Sequence, residues 1–400
     1  MLQPVASCPG ILPRNNNFVV HLRKICRLCL IHSGSWTRTA AIAIFSLGMC
    51  GLALLKQLVR SVARTRLRSL FGGSARRIPT PSVSLYFADP LAGLIDSDED
   101  FTGRPIQQLS QSVYVCGRAA VVIRYANREE IKILRRGRFE RIYLVIDDDL
   151  ESLKDPNGLP PDYRRRLLRY RNGAYRELCE IATDVVAPSE NILRAHHGKR
   201  TLHLDPVQCH PVVELDHHRE HDRLEIVFAG SRSHLQDFER IAPALADVLS
   251  QLPHARLTTF LNGHAPKELR KQANAIHISP MGWQQYRRFV AENNFHVAIA
   301  PALDTSFNRA RSISKLHDHA AFGAAGLYSR QQPFDRVVSH GQTGLLISND
   351  PDDWRQALLD LASRRDRTLR IATGGQVLSR TLGDMQRVRK FWMHELGITL

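Results

Sequence analysis

The sequence predicts an α/β protein with two lobes, each built on a mostly parallel, doubly wound sheet. Its 400 residues are about twice the length of a usual domain. From residue 81 onward, short apolar segments rich in β-branched residues alternate with longer amphipathic segments, which is the pattern of strands joined by crossover helices. The alternation is interrupted by a polar stretch near residue 217, so two Rossmann-like lobes facing a cleft are expected.

The basic charge of the chain is concentrated at its N-terminus. The formal net charge is +16, and residues 1–80 contain twelve Lys and Arg but no Asp or Glu. Residues 81–400 then hold 43 basic and 39 acidic residues and are close to neutral. This distribution, without an aromatic and basic platform, argues against nucleic acid as the partner of the main body.

Residues 1–80 form a basic extension that is expected to be disordered, to associate with a membrane or to come from a misplaced start. An uncharged apolar run at 39–55 is short for a membrane-spanning helix, and the basic amphipathic stretch after it suits an anionic membrane surface. Membrane association through 39–70 would leave the body in the cytoplasm, at the inner face of the membrane. Alternatively, the stretch is translated from a misplaced start, with Met49 closer to the true beginning.

The number and spacing of the cysteines and histidines give little indication of a metal site. Seven scattered cysteines do not suggest a disulfide framework, and a reducing, cytoplasmic compartment is the simpler interpretation. Cys26 and Cys29 have no second pair at zinc-finger spacing. The stretch 217–221 contains three histidines and a glutamate, but it is polar and without helical period, so a solvated linker is favoured over zinc. No metal ligand is assigned.

The N-terminal lobe is expected at 81–205, followed by a linker at 206–222. Predicted strands are 82–88, 119–123, 141–146, 184–187 and 201–204, and predicted helices are 128–136 and 162–181. Asp147, Asp148 and Asp149 follow the strand at 141–146, and the carboxyl ends of parallel strands are where α/β sheets bind ligands. Asp148 and Asp149 are therefore catalytic candidates, as a general base; the alternatives are that these carboxylates hold a metal or form a solvated turn that caps the next segment.

The C-terminal lobe is expected at 223–380, with a further helix at 381–400. Predicted strands are 224–229, 256–261, 275–279, 296–300, 326–328 and 343–347, with helices at 235–252, 266–274, 283–292, 310–323 and 351–362. This is the pattern of a nucleotide-binding domain. Gly230, Ser231 and Arg232 join the first strand to a helix, where free backbone N–H groups can bind an anion.

Four motifs in the C-terminal lobe are specific. Ala300 to Leu303 ends a strand, Phe307 to Ser312 forms a turn, Lys315 to Gly323 forms a helix, and His340 to Leu346 follows. Together they resemble the "APL", "FN-x-x-K/R-S", "K-x-x-E-Y-A-A-x-G" and "H-G-x-T-G-x-L-V" motifs of GT-B glycosyltransferases of the family 4-like kind. The resemblance covers the C-terminal lobe well and the N-terminal lobe more thinly.

The resemblance implies a binding site for a nucleotide-diphosphate sugar. Arg309, Arg311 and Lys315 would hold the diphosphate near a helix start, where positive charge and free N–H groups are both available. Arg232 would be a second phosphate contact, and Asp318 would bind the donor ribose. The remaining residues of the site would be Gly230, Ser231, Phe307, Asn308 and Ser312. The alternative is that these cations are surface charge on a helix.

Some positions depart from the family motif. Asp318 replaces a glutamate, His319 replaces a tyrosine, and Ala310 stands where a second glutamate is common. The expected function is metal-independent transfer of a sugar from a nucleotide-diphosphate donor to a glycan or lipid-linked hydroxyl acceptor, in polysaccharide or surface-glycan biosynthesis, with no cofactor. The departures leave a second hypothesis open, a non-catalytic protein that binds a nucleotide sugar or a glycan.

Overall fold

The computed structural model describes residues 80–96, 104–154, 158–211, 213–220 and 222–399. The predictions for the apolar run at 39–55, the amphipathic stretch up to residue 70 and the cysteines of the extension lie outside these residues. Within the described part, no helix is both long enough and apolar enough to cross a membrane.

The N-terminal lobe is built on a seven-stranded sheet in the order β1-β2-β3-β4-β5-β6-β7. Its strands are β1 Ile95–Asp96, β2 Ile106–Gln108, β3 Val113–Cys116, β4 Ala119–Ile123, β5 Arg141–Val145, β6 Asp184–Ala187 and β7 Arg200–His203. Its helices are α1 Pro81–Val83, which continues as the π-helical turn Ser84–Ala88, α2 Arg128–Arg136, α3 Pro161–Tyr170 with a second π-helical turn Arg171–Tyr175, α4 Arg176–Ile181 and α5 Glu190–Ala195. Pairs β2–β3 and β3–β4 are antiparallel, and the others are parallel.

The predictions for this lobe are confirmed at four strands and corrected at one segment. The strands expected at 119–123, 141–146, 184–187 and 201–204 are present as β4 to β7. The expected strand at 82–88 is wrong, because this segment is helical. Pro81 occupies the first turn, and the Thr80 hydroxyl accepts a hydrogen bond from the backbone N–H of Val83. These are helix-start features, and they outweigh the apolar and aromatic composition of the segment.

The C-terminal lobe is built on a six-stranded sheet, parallel throughout, in the order β10-β9-β8-β11-β12-β13. Its strands are β8 Leu224–Phe228, β9 Ala255–Thr259, β10 Ala275–His277, β11 Val297–Ala300, β12 Ala325–Ser329 and β13 Leu345–Ile347. Its helices are α6 Leu235–Glu239, α7 Ala242–Gln251, α8 Lys267–Arg270, α9 Trp283–Glu292, α10 Ser306–Arg309, α11 Ser314–Ala321, α12 Pro351–Ser363 and α13 Arg365–Leu382. All six predicted strands are confirmed, and the strand order reverses between β8 and β11.

Three predictions in this half differ in detail. The helix expected at 235–252 is divided into α6 and α7, because Pro243 starts a second helix. The helix expected at 310–323 starts at Ser314, and a separate helix, α10, is capped by the Thr305 side chain. The expected solvated linker at 217–221 is wrong for His218, which is 3% exposed and bonded through Nε2 to the carbonyl oxygen of Gly323, 2.8 Å away.

The last helix, α14 Met385–Glu395, returns to the N-terminal lobe. The indole N–H of Trp392 donates to the carbonyl oxygen of Tyr86, 2.6 Å away. The two lobes also meet near α1, where the indole N–H of Trp283 donates to the Ser84 hydroxyl at 2.8 Å. These contacts hold the carboxyl ends of β4 and β5 opposite those of β8 and β11.

Candidate functional site

A cavity of about 290 Å³ lies in the cleft between the two lobes. One side, the N-terminal wall, is formed by Pro81, Ser82, Leu85, Arg124, Asp147, Asp148 and Tyr163. The opposite side, the C-terminal wall, includes Gly230, Ser231, Ser233, His234, Asn308, Arg311, Ser312, Ser314 and Lys315. The C-terminal wall is at the point where the strand order of its sheet reverses, which is the usual ligand-binding crevice of such sheets.

The start of α11 contributes part of the C-terminal wall. Ile313 occupies the N-cap position and has no polar side chain with which to cap the helix. Ser312, Ser314 and Lys315 all line the cavity around this end. Because the N-terminus of a helix carries partial positive charge and free N–H groups, this end favours an anionic group.

Lys315 is held in place by two oxygen atoms. Its ammonium group donates to the carbonyl oxygen of Ala229 at 2.5 Å and to Oδ2 of Asp318 at 3.0 Å. Burial alone would raise the pKa of Asp318, but Lys315 and His210 hold it below the usual value, so Asp318 is ionised. Asp318 thus acts on the cavity through Lys315, which stays 24% exposed.

Arg311 is fixed by a second polar network. Its guanidinium donates to Nε2 of His234 at 2.8 Å and to Oδ1 of Asn308 at 3.0 Å, and it lies over the ring of Phe307 at 5.0 Å. Burial, reinforced by Arg311, lowers the pKa of His234 to about 4. The neutral imidazole therefore accepts from Arg311 and keeps its own proton on Nδ1, which faces Asp237 at 3.4 Å.

Gly230 allows the backbone after β8 to pass close to an aromatic pair. A Cβ atom at this position would lie 2.3 Å from the ring of Phe228. That ring is stacked on Phe238, with the ring centroids 4.1 Å apart, and has little room to move. A residue without a side chain keeps the Gly230–Ser231 turn open toward the cavity.

The N-terminal wall is centred on Arg124, which follows β4. Its guanidinium forms ion pairs with Asp147, at 3.3 Å, and with Asp148. The Ser82 hydroxyl donates to Oδ2 of Asp147 at 2.6 Å. Burial acting alone would lower the pKa of Arg124, but the two carboxylates raise it above the usual value. Burial raises the pKa of Asp147, and Arg124 opposes this shift.

The cavity brings together many of the residues singled out in the sequence. Those that line it are Asp148, Gly230, Ser231, Asn308, Arg311, Ser312 and Lys315. Phe307 and Asp318 lie behind this lining and support Arg311 and Lys315. The lining residues therefore come from both lobes.

Three of the predicted residues are engaged elsewhere. Asp149 accepts from the backbone N–H groups of Glu151 and Ser152, so it caps a turn. Arg232 is paired with Asp162 at 3.3 Å, across the lobes. Arg309 is paired with Asp304.

Sequence reasoning missed Arg124, Ser82 and Tyr163 on the N-terminal wall. A signal was available for Arg124, because it follows a buried strand directly, as Asp147 follows β5. Ser82 lies in a segment for which the sequence predicts a strand, so its position in the first turn of α1 could not be predicted. Among the described residues, no group of three or more His, Cys, Asp or Glu side chains is placed to hold a metal ion.

Comparison with known proteins gives matches in structure alone, since neither a protein-family model nor a curated protein matches the chain. HepE from Anabaena, solved with UDP-glucose, is 13% identical, with 70% of this chain and 79% of that chain covered and a TM-score of 0.48. Sucrose-phosphate synthase from Thermosynechococcus elongatus is 13% identical, covering 69% and 72%, with a TM-score of 0.47. UDP-forming α,α-trehalose-phosphate synthase from Burkholderia vietnamiensis is 10% identical, covering 69% and 71%, with a TM-score of 0.45.

The architecture is of the GT-B kind. It consists of two Rossmann-like α/β lobes that face each other across a cleft, as the sequence motifs implied. A fold of this type hosts many chemistries, so the activity has to be argued from the side chains in the cleft.

Proposed function

We propose that this protein is a glycosyltransferase that moves a sugar from a nucleotide-diphosphate donor to a hydroxyl acceptor, in polysaccharide or surface-glycan biosynthesis. The observation that carries the proposal is the pairing of two cations, Arg311 and Lys315, beside the start of α11 in the cleft, where the N-cap residue Ile313 provides no side-chain cap. Two fixed cations and a helix N-terminus match the charge of a diphosphate.

The proposed reaction exchanges one bond for another at the sugar carbon. The acceptor oxygen forms a bond to that carbon, and the bond from the carbon to the diphosphate oxygen breaks with its electron pair leaving on the diphosphate. Arg311, Lys315 and the N–H groups of α11 would stabilise the charge that develops on the leaving group, so the proposed mechanism needs no metal ion. The acceptor hydroxyl loses a proton, and Asp148, a carboxylate on the facing wall, is the proposed base.

A second candidate is a protein that binds a nucleotide sugar or a glycan without turning it over. One observation favours it: Asp318, which in the resembled family would bind the donor ribose, is engaged by Lys315 and lies 3.7 Å from His210 instead of lining the cavity. This candidate requires donor binding through the same cations, but no release of nucleoside diphosphate.

The experiment that tests the site is a titration of the full chain with a panel of nucleoside diphosphates and nucleotide-diphosphate sugars. Arg311→Ala and Lys315→Ala are each expected to weaken binding of the preferred ligand by about ten- to a hundredfold, the value of a charge-assisted hydrogen bond. Arg288→Ala serves as the matched control, since Arg288 is an exposed arginine on α9 of the same lobe.

The outcomes separate the candidates. Binding that is lost in both variants and kept in Arg288→Ala, followed by release of nucleoside diphosphate, supports the transferase. The same binding with no turnover across an acceptor panel favours the binding protein. A well-folded chain that binds none of the nucleotides contradicts both the transferase and the binding protein.

The cellular setting is part of the proposal. We place the activity in the cytoplasm, with peripheral contact to the inner face of the membrane through residues 39–70, an uncharged apolar run followed by a stretch in which basic and apolar residues alternate. A glycan or lipid-linked acceptor would suit that position. Sedimentation with anionic lipid vesicles, reversed by salt, is expected; equal sedimentation with neutral vesicles would contradict it.

A further inference from the structure

The two walls of the cavity differ in charge. The C-terminal wall carries Arg311 and Lys315, while the N-terminal wall carries Arg124 together with Asp147 and Asp148. In the lining that the structure describes, Arg124 is the sole cation of the N-terminal wall, and it faces two carboxylates. A diphosphate on the C-terminal wall would neutralise the cations there and leave the other wall without surplus positive charge.

Arg124 is held by its backbone as well as by its side chain. Its φ angle is 65°, in the left-handed region that arginine rarely adopts. Its N–H donates to the carbonyl oxygen of Val145 at 2.8 Å, and its own carbonyl oxygen accepts from the Tyr170 hydroxyl at 2.8 Å. These bonds point the guanidinium at the two aspartates. The carboxylates of Asp147 and Asp148 therefore occupy the side of the guanidinium to which an anion would bind.

We propose that the N-terminal wall binds an uncharged acceptor that is rich in hydroxyl groups and excludes phosphorylated acceptors. The reason is that the carboxylates of Asp147 and Asp148 already pair with Arg124 and prevent it from binding an anion. This inference rests on the proposed transferase function and adds the substrate class. A phosphate group entering here would meet the Asp148 carboxylate, and like charges at close range repel strongly in a partly buried site.

The same wall offers partners for hydroxyl groups. Asp148 accepts hydrogen bonds, the Ser82 oxygen can accept while its proton is bonded to Asp147, and the Tyr163 phenol, which lies on the lining beside them, can both donate and accept. An uncharged sugar presents donors and acceptors in about equal number, which suits this mixture. A phosphate presents acceptors alone and would leave the carboxylates without donors.

The test counts anion sites on the full chain by equilibrium dialysis with labelled inorganic pyrophosphate. The wild type is expected to bind about one pyrophosphate per chain, on the C-terminal wall. Asp148→Asn removes one partner of Arg124 and is expected to bind a second pyrophosphate, with an affinity about tenfold above any second site of the wild type. The site kept on the C-terminal wall shows that the variant is folded.

Glu140→Gln is the matched control. Glu140 is paired with Arg118 on the surface of the same lobe, so this variant makes the same change of charge and frees an arginine outside the cleft. It is expected to bind about one pyrophosphate, as the wild type does. A gain equal to that of Asp148→Asn would assign the effect to net charge and overturn the inference.

Two further results would also overturn it. A wild type that binds about two pyrophosphates has an Arg124 open to anions, and an Asp148→Asn variant that gains no site shows that the carboxylates do not exclude them. Failure of the proposed function gives a different pattern. In that case the wild type binds none, and a single site gained in Asp148→Asn would still support the exclusion at Arg124.

Discussion

At the scale of single residues, Asp237 orients the side chain of Arg311, although Asp237 itself does not line the cavity. Its carboxylate is 3% exposed, and Oδ1 accepts from the backbone N–H of Leu303 at 2.9 Å and from Nδ2 of Asn308 at 2.8 Å. Oδ2 faces His234, which in turn accepts from Arg311. Both side chains that contact Arg311 are thus oriented by one buried carboxylate.

Asp237→Asn is therefore expected to weaken binding of a nucleoside diphosphate about tenfold while Lys315 keeps its place. The amide oxygen of an asparagine can still accept from Leu303 and Asn308, but its N–H group then faces the Nδ1 proton of His234, so Arg311 loses its fixed direction. Titration with the ligand found for the wild type measures the effect. Asp247→Asn, on the exposed side of α7, is the control, and equal weakening by both variants would contradict the argument.

The C-terminal wall was largely predictable from the sequence, because its motif is one continuous segment of the chain. Asn308, Arg311, Ser312 and Lys315 lie within eight residues of sequence, and a helix start brings them together without tertiary information. The N-terminal wall joins residues from α1, β4 and β5 that are far apart in sequence. Ion pairs such as Arg124 with Asp148 depend on strand order, which side-chain spacing does not encode.

At the scale of elements, α14 links the end of the chain to the N-terminal lobe. Trp392 is fully buried, with its ring edge-on to Phe87 at 5.0 Å and to Tyr143 at 5.7 Å. Its N–H donates to the carbonyl oxygen of Tyr86. Trp392→Ala is expected to lower the free energy of unfolding by about 3–5 kcal/mol, through lost burial and a cavity.

Trp392→Phe separates packing from hydrogen bonding in that effect. It keeps most of the ring contact and loses the N–H, so a smaller loss of about 1–3 kcal/mol is expected from the unpaired carbonyl oxygen of Tyr86. Urea unfolding of both variants measures the difference. If Trp392→Ala unfolds at the wild-type urea concentration, α14 does not hold the N-terminal lobe.

Elements with strong local signals were predicted, and those set by tertiary contact were not. Strands β8 and β11 are fully or largely buried apolar runs, which leave little choice of structure. In contrast, β1 and β2 are two and three residues long and contain the polar residues Asp96, Gln107 and Gln108, which are buried by the fold around them. Local pattern cannot distinguish such strands from loops.

At the scale of the whole molecule, the chain buries histidines in both the linker and the C-terminal lobe. Burial lowers the pKa of His218, His234 and His317 to about 4, and that of His296 and His319 to about 3. His217 and His218 of the expected linker pack with this set, since their rings and that of His296 lie 4.3–5.3 Å from one another. Sequence composition alone did not reveal that these side chains are inside.

These lowered pKa values make stability depend on pH in one direction. The unfolded chain takes up protons on these five histidines near pH 6.5, whereas the folded chain protonates them only near pH 4 or below. Between these values the unfolded state binds more protons, so the free energy of unfolding falls as the pH drops below 6.5. Raised pKa values at Asp147, Asp149 and Glu225, caused by burial, act in the opposite direction.

Urea unfolding at pH 7.5, 6.5 and 5.5 is therefore expected to show a loss of several kcal/mol, of which each deeply buried histidine supplies roughly 1 kcal/mol. His218→Gln removes one of these groups and should reduce the loss between pH 6.5 and 5.5, because glutamine does not titrate. His254→Gln, on an exposed turn, should leave the pH dependence unchanged. A wild type equally stable at all three pH values would mean that these histidines can take up protons within the fold, and that the cluster around His296 is open to water.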